Sequence, residues 1–167
     1  MTDEFLFVDR IKQRCGSDIT DSYQSLGMHT LEISNDRIVP VCELLKTDEQ
    51  LLFNYLSDIC GVDFFPESPR FAVLYHLYSI PFKYRIRLKC RLEDGERLPS
   101  VTDVWGTANW HEREIYDMYG ITFSGHPDLR RIYMSEEFDG HPLRKDYPLR
   151  GFKDDLNPEG EPTEKDR

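Results

Sequence analysis

Three carboxylates, Glu112, Glu114 and Asp117, fall close together in this chain. Paired carboxylates can act as general acid and general base. Here Glu112 is placed to cap a helix, Asp117 has Arg113 four residues before it, and no nucleophile stands nearby. Catalysis is therefore the weaker reading of the group. His111, His126 and His141 are candidate metal ligands, since imidazole commonly fills that role. His126 and His141 are too far apart in sequence for a compact ligand motif, and Arg130-Arg131 beside them would repel a cation. A stand-alone metal-dependent hydrolase built on His126, His141 and Asp146 is the self-contained alternative.

The same neighbourhood repeats a pattern that points to binding. Gly125-His126-Pro127-Asp128-Leu129-Arg130-Arg131 is followed by Gly140-His141-Pro142-Leu143-Arg144-Lys145-Asp146. Proline pushes the residue before it out of the helical region, and glycine permits backbone angles that other residues avoid. Each copy should be a sharply bent hook presenting a leucine and two cations. A segment that lies along another surface needs such stereochemistry, and a free loop does not. Charge supports the distinction. Residues 1–124 hold 13 Lys+Arg against 20 Asp+Glu, residues 125–150 hold 5 against 5, and residues 151–167 hold 3 against 6. The hooks are the least acidic part, with clustered cations.

Regular elements must position these residues. Phe5, Val8 and Ile11 recur at helical spacing, Cys15 extends the row, and Gly16 ends it. His29, Leu31 and Ile33 alternate as a strand, with a turn at Asn35-Asp36. Pro40 suits the first turn of a helix reaching about Lys46. Residues 49–60 read as another helix, stopped near Gly61. Phe71, Val73, Tyr75 and Leu77 alternate, as do Tyr84, Ile86, Leu88, Cys90 and Leu92, with Pro81 between them. This predicts an antiparallel hairpin with one buried face. Arg85, Arg87, Lys89 and Arg91 form its opposite, cationic face, expected to be solvated or paired with neighbouring carboxylates. A last helix runs over Trp110–Tyr119, capped by Asn109 with Glu112 completing a capping box, and closed by Gly120. Ile115, Tyr116, Met118 and Tyr119 share its apolar face. Arg113, Glu114, Asp117 and Trp110 lie opposite, and a tryptophan among charges suggests that this side is covered too.

Composition bounds the rest. With 167 residues the chain suits one domain with a modest core and an appended tail. A net charge of −10 argues against non-specific nucleic-acid binding, which needs a positive field. No stretch approaches the roughly 18 apolar residues of a membrane helix, and the acidic N-terminus fits neither a secretory signal nor a transit peptide. Cys15, Cys42, Cys60 and Cys90 stand alone without a Cys-x-x-Cys pair, so a zinc or iron–sulfur site is not expected. Cys42, Cys60 and Cys90 lie in apolar patterns and are expected in the core.

The run Glu112-Arg113-Glu114, Asp117-Met118-Tyr119-Gly120-Ile121, Phe123, Gly125-His126-Pro127, Leu129-Arg130-Arg131-Ile132 resembles the motif of the C-type subunit of respiratory complex I. This is the thirty-kilodalton-type subunit of NADH:quinone oxidoreductase. Phe138, Gly140-His141-Pro142-Leu143-Arg144-Lys145-Asp146 and Pro148 continue the likeness, as do Trp105, Ala108 and Trp110. It extends from about Leu26 to Phe152. Tyr133 departs from it, standing where the family has an aliphatic residue, and Asp154 onward matches nothing in the pattern. The resemblance implies a non-catalytic subunit of the peripheral arm, on the cytoplasmic side of the membrane. It implies no cofactor in this chain, with FMN, iron–sulfur clusters and quinone held by other subunits. It implies packing beside the D-type subunit of complex I, which with the B-type subunit forms the quinone-reduction site. Corresponding subunits of membrane-bound hydrogenases and ferredoxin-fed quinone reductases look similar.

Together these readings predict an α+β domain over residues 1–122, an extended arm over 123–152 that wraps a partner, and a charged, mobile tail over 153–167. Arg130, Arg131, Arg144 and Lys145 are expected to meet partner carboxylates or carbonyls while Leu129 and Leu143 fill apolar pockets. The interface is expected to include Glu112, Arg113, Glu114, Asp117, His126, His141 and Asp146 as well. Arg130→Glu and Arg144→Glu should then spare the isolated fold and weaken assembly.

Overall fold

A computed structural model describes residues 3–153 and 157–162, with side chains from Phe7 onward. Its centre is the predicted hairpin. Strands β4 (Phe71–Tyr78) and β5 (Arg85–Leu92) pair antiparallel, with Phe71 opposite Leu92 and Tyr78 opposite Arg85. Phe71, Val73, Tyr75 and Leu77 are buried, and so are Ile86, Leu88, Cys90 and Leu92. Successive side chains of a strand point to opposite faces, so these two rows form one apolar surface.

Strands β1 (Ile19–Ser25) and β2 (Met28–Ile33) form a second hairpin. Its two-residue turn, Leu26-Gly27, has positive φ at both positions, the geometry that matches strand twist. His29, Leu31 and Ile33 are buried along β2, as their alternation predicts. β2 then pairs parallel with β5.

Residues 49–60 do not form the expected helix. Strand β3 (Tyr55–Asp63) occupies their second half and pairs antiparallel with β4. The buried residues Leu56 and Ile59 lie three apart, which mimics a helical period. A bulge between Leu56 and Asp58 inserts the extra residue and breaks the strand's period of two. The completed sheet has the order β1-β2-β5-β4-β3.

Three helices contribute to the core on one face of this sheet. Helix α1 (Asp3–Cys15) buries Phe7, Val8, Ile11 and Cys15, while the side chain of Phe5 lies outside the described residues. Helix α2 (Ile38–Thr47) takes Pro40 in its first turn and buries Ile38, Val41, Cys42 and Leu45. Helix α3 (Ala108–Tyr119) contributes Ala108 and Ile115. Cys42 and Cys90 are core residues as expected, whereas Cys60 is only half-buried and its thiol donates to Asp58 at 2.8 Å.

Helix α3 connects two short strands, β6 (Arg97–Pro99) and β7 (Thr122–Ser124), which pair parallel. Phe123 of β7 is buried in the common core, so the packed domain runs through β7 and not only to residue 122. The fold is α+β, followed from Gly125 by a segment without helix or strand through residue 150. Residues 157–162 fold back on residues 151–153: Glu161 N–H bonds the Gly151 carbonyl and Lys153 N–H bonds the Glu161 carbonyl, each at 2.8 Å. Residues 154–156 and 163–167 of the expected tail lie outside the described residues.

Candidate partner interface

Helix α3 carries the site, and its start differs from the capping box read in the sequence. The helix begins at Ala108 after Thr107, which makes no side-chain cap. Asn109 is already inside the helix, and its Oδ1 is buried without a partner among the described residues. Glu112 is fully buried and reaches a different loop: Ser100 Oγ donates to it at 2.6 Å and Val101 N–H at 2.8 Å. Burial pushes its carboxyl up to about 7, against the pull of those two hydrogen bonds. At the other end Gly120 closes the helix with φ 78° and a bond from its N–H to the Tyr116 carbonyl, as predicted.

The first hook is fastened to α3 by backbone carbonyls. His126 Nε2 sits 3.2 Å from the Asn109 carbonyl while its Nδ1 accepts from Asp128 N–H at 3.0 Å. That network assigns a neutral ring with its proton on Nε2. Arg113 donates to the carbonyls of Arg130 at 3.1 Å and Arg131 at 3.3 Å, and its guanidinium stacks over Trp110 at 5.0 Å. It does not pair with Asp117, contrary to the i,i+4 expectation. Asp117 is already saturated. Its Oδ1 takes Arg131 at 2.8 Å, and its Oδ2 takes three successive backbone N–H groups, from Ile132, Tyr133 and Met134.

The second hook closes over the C-terminal end of the same helix. His141 Nδ1 lies 2.9 Å from the Asp117 carbonyl, and Leu143 N–H bonds the Met118 carbonyl at 3.1 Å. Arg131 also holds the carbonyls of Phe138 and Gly140, tying one hook to the next. Gly125 and Gly140 both have the positive φ that each hook requires, 82° and 88°.

Beyond His141 the hook meets an ionic cluster that sequence reading did not find. Arg70 is clamped by Asp63 at 2.8 Å and Asp146 at 2.7 Å, with Asp94 at 3.3 Å. Arg144 pairs with Asp94 and Asp146, and Lys145 N–H donates to Asp63. The Arg70 and Arg144 guanidinium groups hold the Asp146 carboxyl well below the usual carboxylate range. Asp63 falls to about 2, although burial opposes the shift, because Arg70 and the N–H groups of Lys145 and Phe65 stabilise its charged form. Asp63 pairs with Phe71 across β3 and β4, so it and Arg70 flank one sheet end. Reading β3 as a helix hid that pairing.

Several predicted interface residues thus find partners within their own chain. Arg131 and Arg144 meet carboxylates of their own domain. Glu112 and Asp117 have no exposed surface, Arg113 is nearly buried, and Leu129 packs against the chain's own core. The hydrolase reading required His126, His141 and Asp146 to converge, and each is anchored to a different group. No group of three His, Cys, Asp or Glu side chains is placed to hold a metal among the described residues. Of the predicted interface residues Glu114, Arg130, Leu143, Lys145 and Asp146 are exposed, as are Trp110, Tyr133 and Leu149. The last three were not in the predicted interface. Trp110 is 61% exposed, so the arm that covers Arg113 does not cover it.

Residues 31–153 match the family described as respiratory-chain NADH dehydrogenase, 30 Kd subunit. The chain is 58% identical over 150 residues to the second C-type subunit of the NADH-quinone oxidoreductase of Rhizobium etli, covering 90% of this chain and 80% of that one. It is 46% identical over 145 residues to the C-type subunit of the NADH-quinone oxidoreductase of Geotalea uraniireducens, covering 86% and 87%. The corresponding protein of Geobacter sulfurreducens is 44% identical over 146 residues, covering 86% and 89%. The chain belongs to the 30 kDa subunit family of respiratory-chain NADH dehydrogenase. The match takes in the sheet from β2 onward, α3 and both hooks. No helix among the described residues is long and apolar enough to cross a membrane.

Proposed function

We propose that this chain works as a non-catalytic subunit of the peripheral arm of a proton-translocating NADH:quinone oxidoreductase. It sits on the cytoplasmic side of the membrane and docks on the D-type subunit, near the B-type subunit. There it supports electron transfer from NADH to quinone without holding FMN, an iron–sulfur cluster or quinone itself. The observation that carries the docking reading is the pre-formed arm. Asp117, Arg70 and Arg144 use up its inward-facing charge. Arg130, Lys145, Leu143, Tyr133 and Leu149 are left on the outside, with Trp110 and Glu114 beside them on α3. The large apolar residues fit apolar pockets of a partner, Arg130 and Lys145 fit its carboxylates, and the exposed acids Asp128, Glu136, Glu137, Asp139 and Asp146 fit its donors.

The arm is therefore a rigid docking edge fastened to its own domain. That changes which substitutions test the idea. The Arg130 side chain is 64% exposed and among the described residues pairs only with its neighbour Asp128, so Arg130→Glu should leave the fold intact and weaken recovery of the D-type subunit. Arg144 is built into the ionic cluster, so Arg144→Glu would damage the hook itself. The test is a pull-down of the tagged chain, wild type and Arg130→Glu, from gently solubilised membranes. Recovery of the B-type and D-type subunits with the NADH-oxidising module, reduced by the substitution, supports the reading. Recovery with a hydrogenase module, or undiminished assembly of the variant, overturns it.

A further inference from the structure

The cationic face of β5 is not uniform. Lys89 is buried and bonded to Glu32 at 2.5 Å, Arg91 lies 3.7 Å from the same carboxylate, and Arg85 stacks over Tyr78. Arg87 alone in that row has no such contact among the described residues. It is half-buried, and its Nε is buried without an acceptor. The chain's other buried and half-buried arginines, Arg10, Arg70, Arg91, Arg113, Arg131 and Arg144, all meet a carboxylate or a carbonyl.

The sheet register places Arg87 in the middle of a polar row. Thr30 of β2 lies on one side and His76 of β4 on the other, with Asp58 of β3 beyond His76. Thr30 has a fully buried hydroxyl that is also without a partner among the described residues. Burial pushes the His76 imidazole down and Arg87 adds to the shift, against the pull of Asp58. The nearby carboxylates are occupied. Asp58 is engaged by the Cys60 thiol and by His111 at 3.3 Å, and Glu32 by Lys89 and Arg91. A buried guanidinium N–H left unbonded costs free energy that a carboxylate would recover. Half-exposed Leu74 and Tyr78 flank His76 on the same strand face, which suits a peptide surface better than a free ion.

We propose that the open face of the sheet around Arg87 is a second docking surface, occupied by a segment of a neighbouring subunit that inserts an aspartate or glutamate between Thr30, Arg87 and His76. This rests on the chain acting within a multisubunit assembly. It concerns a different surface from the α3–arm edge. The neighbouring segment carries its acid amid apolar residues that cover Leu74 and Tyr78.

The experiment uses the assembled complex with a photoreactive benzoylphenylalanine in place of Leu74 or Tyr78. Irradiation is expected to link the chain to a different subunit, within a few residues of an Asp or Glu. In the same complex Arg87→Met should lower incorporation of the chain at least about tenfold, because one partner of a desolvated charge pair is lost. In the isolated full chain, Arg87→Met should leave the thermal midpoint within about 2 °C of wild type, since no intrachain partner is removed. A structural role would lower it. No cross-link from either position, a link to a second copy of this chain, normal incorporation of Arg87→Met, or marked destabilisation of the isolated variant each overturns the proposal. If the B-type and D-type subunits copurify and the sheet face gives no link, this surface fails and the docking function stands. If neither copurifies, both fail.

Discussion

Arg131 and Asp117 are the bolt of the arm: the guanidinium meets Oδ1 at 2.8 Å while Oδ2 receives the next three backbone N–H groups of the segment that Arg131 begins. Burial would raise this carboxyl, yet those donors hold it below its usual value. The charged form is thus favoured by folding. Its stabilisation is present above the unfolded-state pKa and is lost as pH falls through the lower folded-state value. Asp117→Ala leaves Arg131 and three N–H groups without their acceptor and should cost about 3–5 kcal/mol, most of it expressed as release of residues 130–143. Hydrogen exchange of the Ile132, Tyr133 and Met134 amides, with denaturant titration at pH 7, checks this. Unchanged protection would show that the arm is held some other way.

Glu112 has the opposite sign. Its folded pKa of about 7 exceeds the carboxylate's ordinary value, so the folded chain binds a proton that the unfolded chain releases. Stability is full below the unfolded pKa, falls as pH rises through the folded pKa, and levels off above it. Glu112→Gln keeps a hydrogen-bonding group for Ser100 and Val101 without a charge. It should be near neutral at pH 4.5 and stabilise by about 2–3 kcal/mol at pH 8. Urea unfolding at the two pH values reads the difference directly, and equal effects at both would show that Glu112 does not titrate in this range.

Gly120 serves both the helix and the second hook. Its φ of 78° favours glycine, and a Cβ there would come within 2.7 Å of the His141 ring. Gly120→Ala should destabilise the chain by about 1–3 kcal/mol and unseat His141 from the Asp117 carbonyl. The His141 ring resonances in a proton–nitrogen correlation spectrum would move, whereas those of His126, anchored to Asn109, would not.

The cluster around Arg70 predicts an acid-sensitive hook. Asp63 and Asp146 both have lowered carboxyl values, so their contribution holds at neutral pH and fades as pH drops below the ordinary carboxylate range. Arg70→Met should reduce that fading, leaving the part due to Arg144 and to the Lys145 and Phe65 N–H groups, and weaken the attachment of residues 144–147 at neutral pH. Hydrogen exchange of the Lys145 amide, which donates to Asp63, compared at pH 7 and at about pH 2, would reveal it. Wild-type attachment that persists unchanged below about pH 2 would count against the argument.

How legible was this in the chain? The β4–β5 hairpin and the C-terminal ends of α1 and α3 were plain, because alternation and glycine placement are local signals. The hooks were legible as bent binding segments for the same reason. Their immediate partner was not. Asp117 lies fourteen residues before Arg131, and Asp94 fifty before Arg144, and nothing local ties those positions together. Glu112 was misread because its three-residue spacing from Asn109 fits a cap equally well. Only the tertiary approach of Ser100 and Val101 decides where the carboxylate goes. The bulge in β3 erased a strand signal and with it the Asp63–Arg70 pairing at that end of the sheet.

The parallel pairing of β2 with β5 sets an order of events in biosynthesis. Thr30, Leu31 and Glu32 register with Arg87, Leu88 and Lys89, and among the described residues β5 is the only strand that joins the N-terminal hairpin to the rest of the sheet. Until a ribosome has released β5, both edges of the β1–β2 hairpin are unpaired, and the apolar row of β5 is not yet beside it. Long-range pairing of this kind is slow and exposes the nascent chain to wrong partners. This polypeptide is therefore expected to need chaperone shelter over its first ninety or so residues, and to become competent for assembly only after its central strand has arrived.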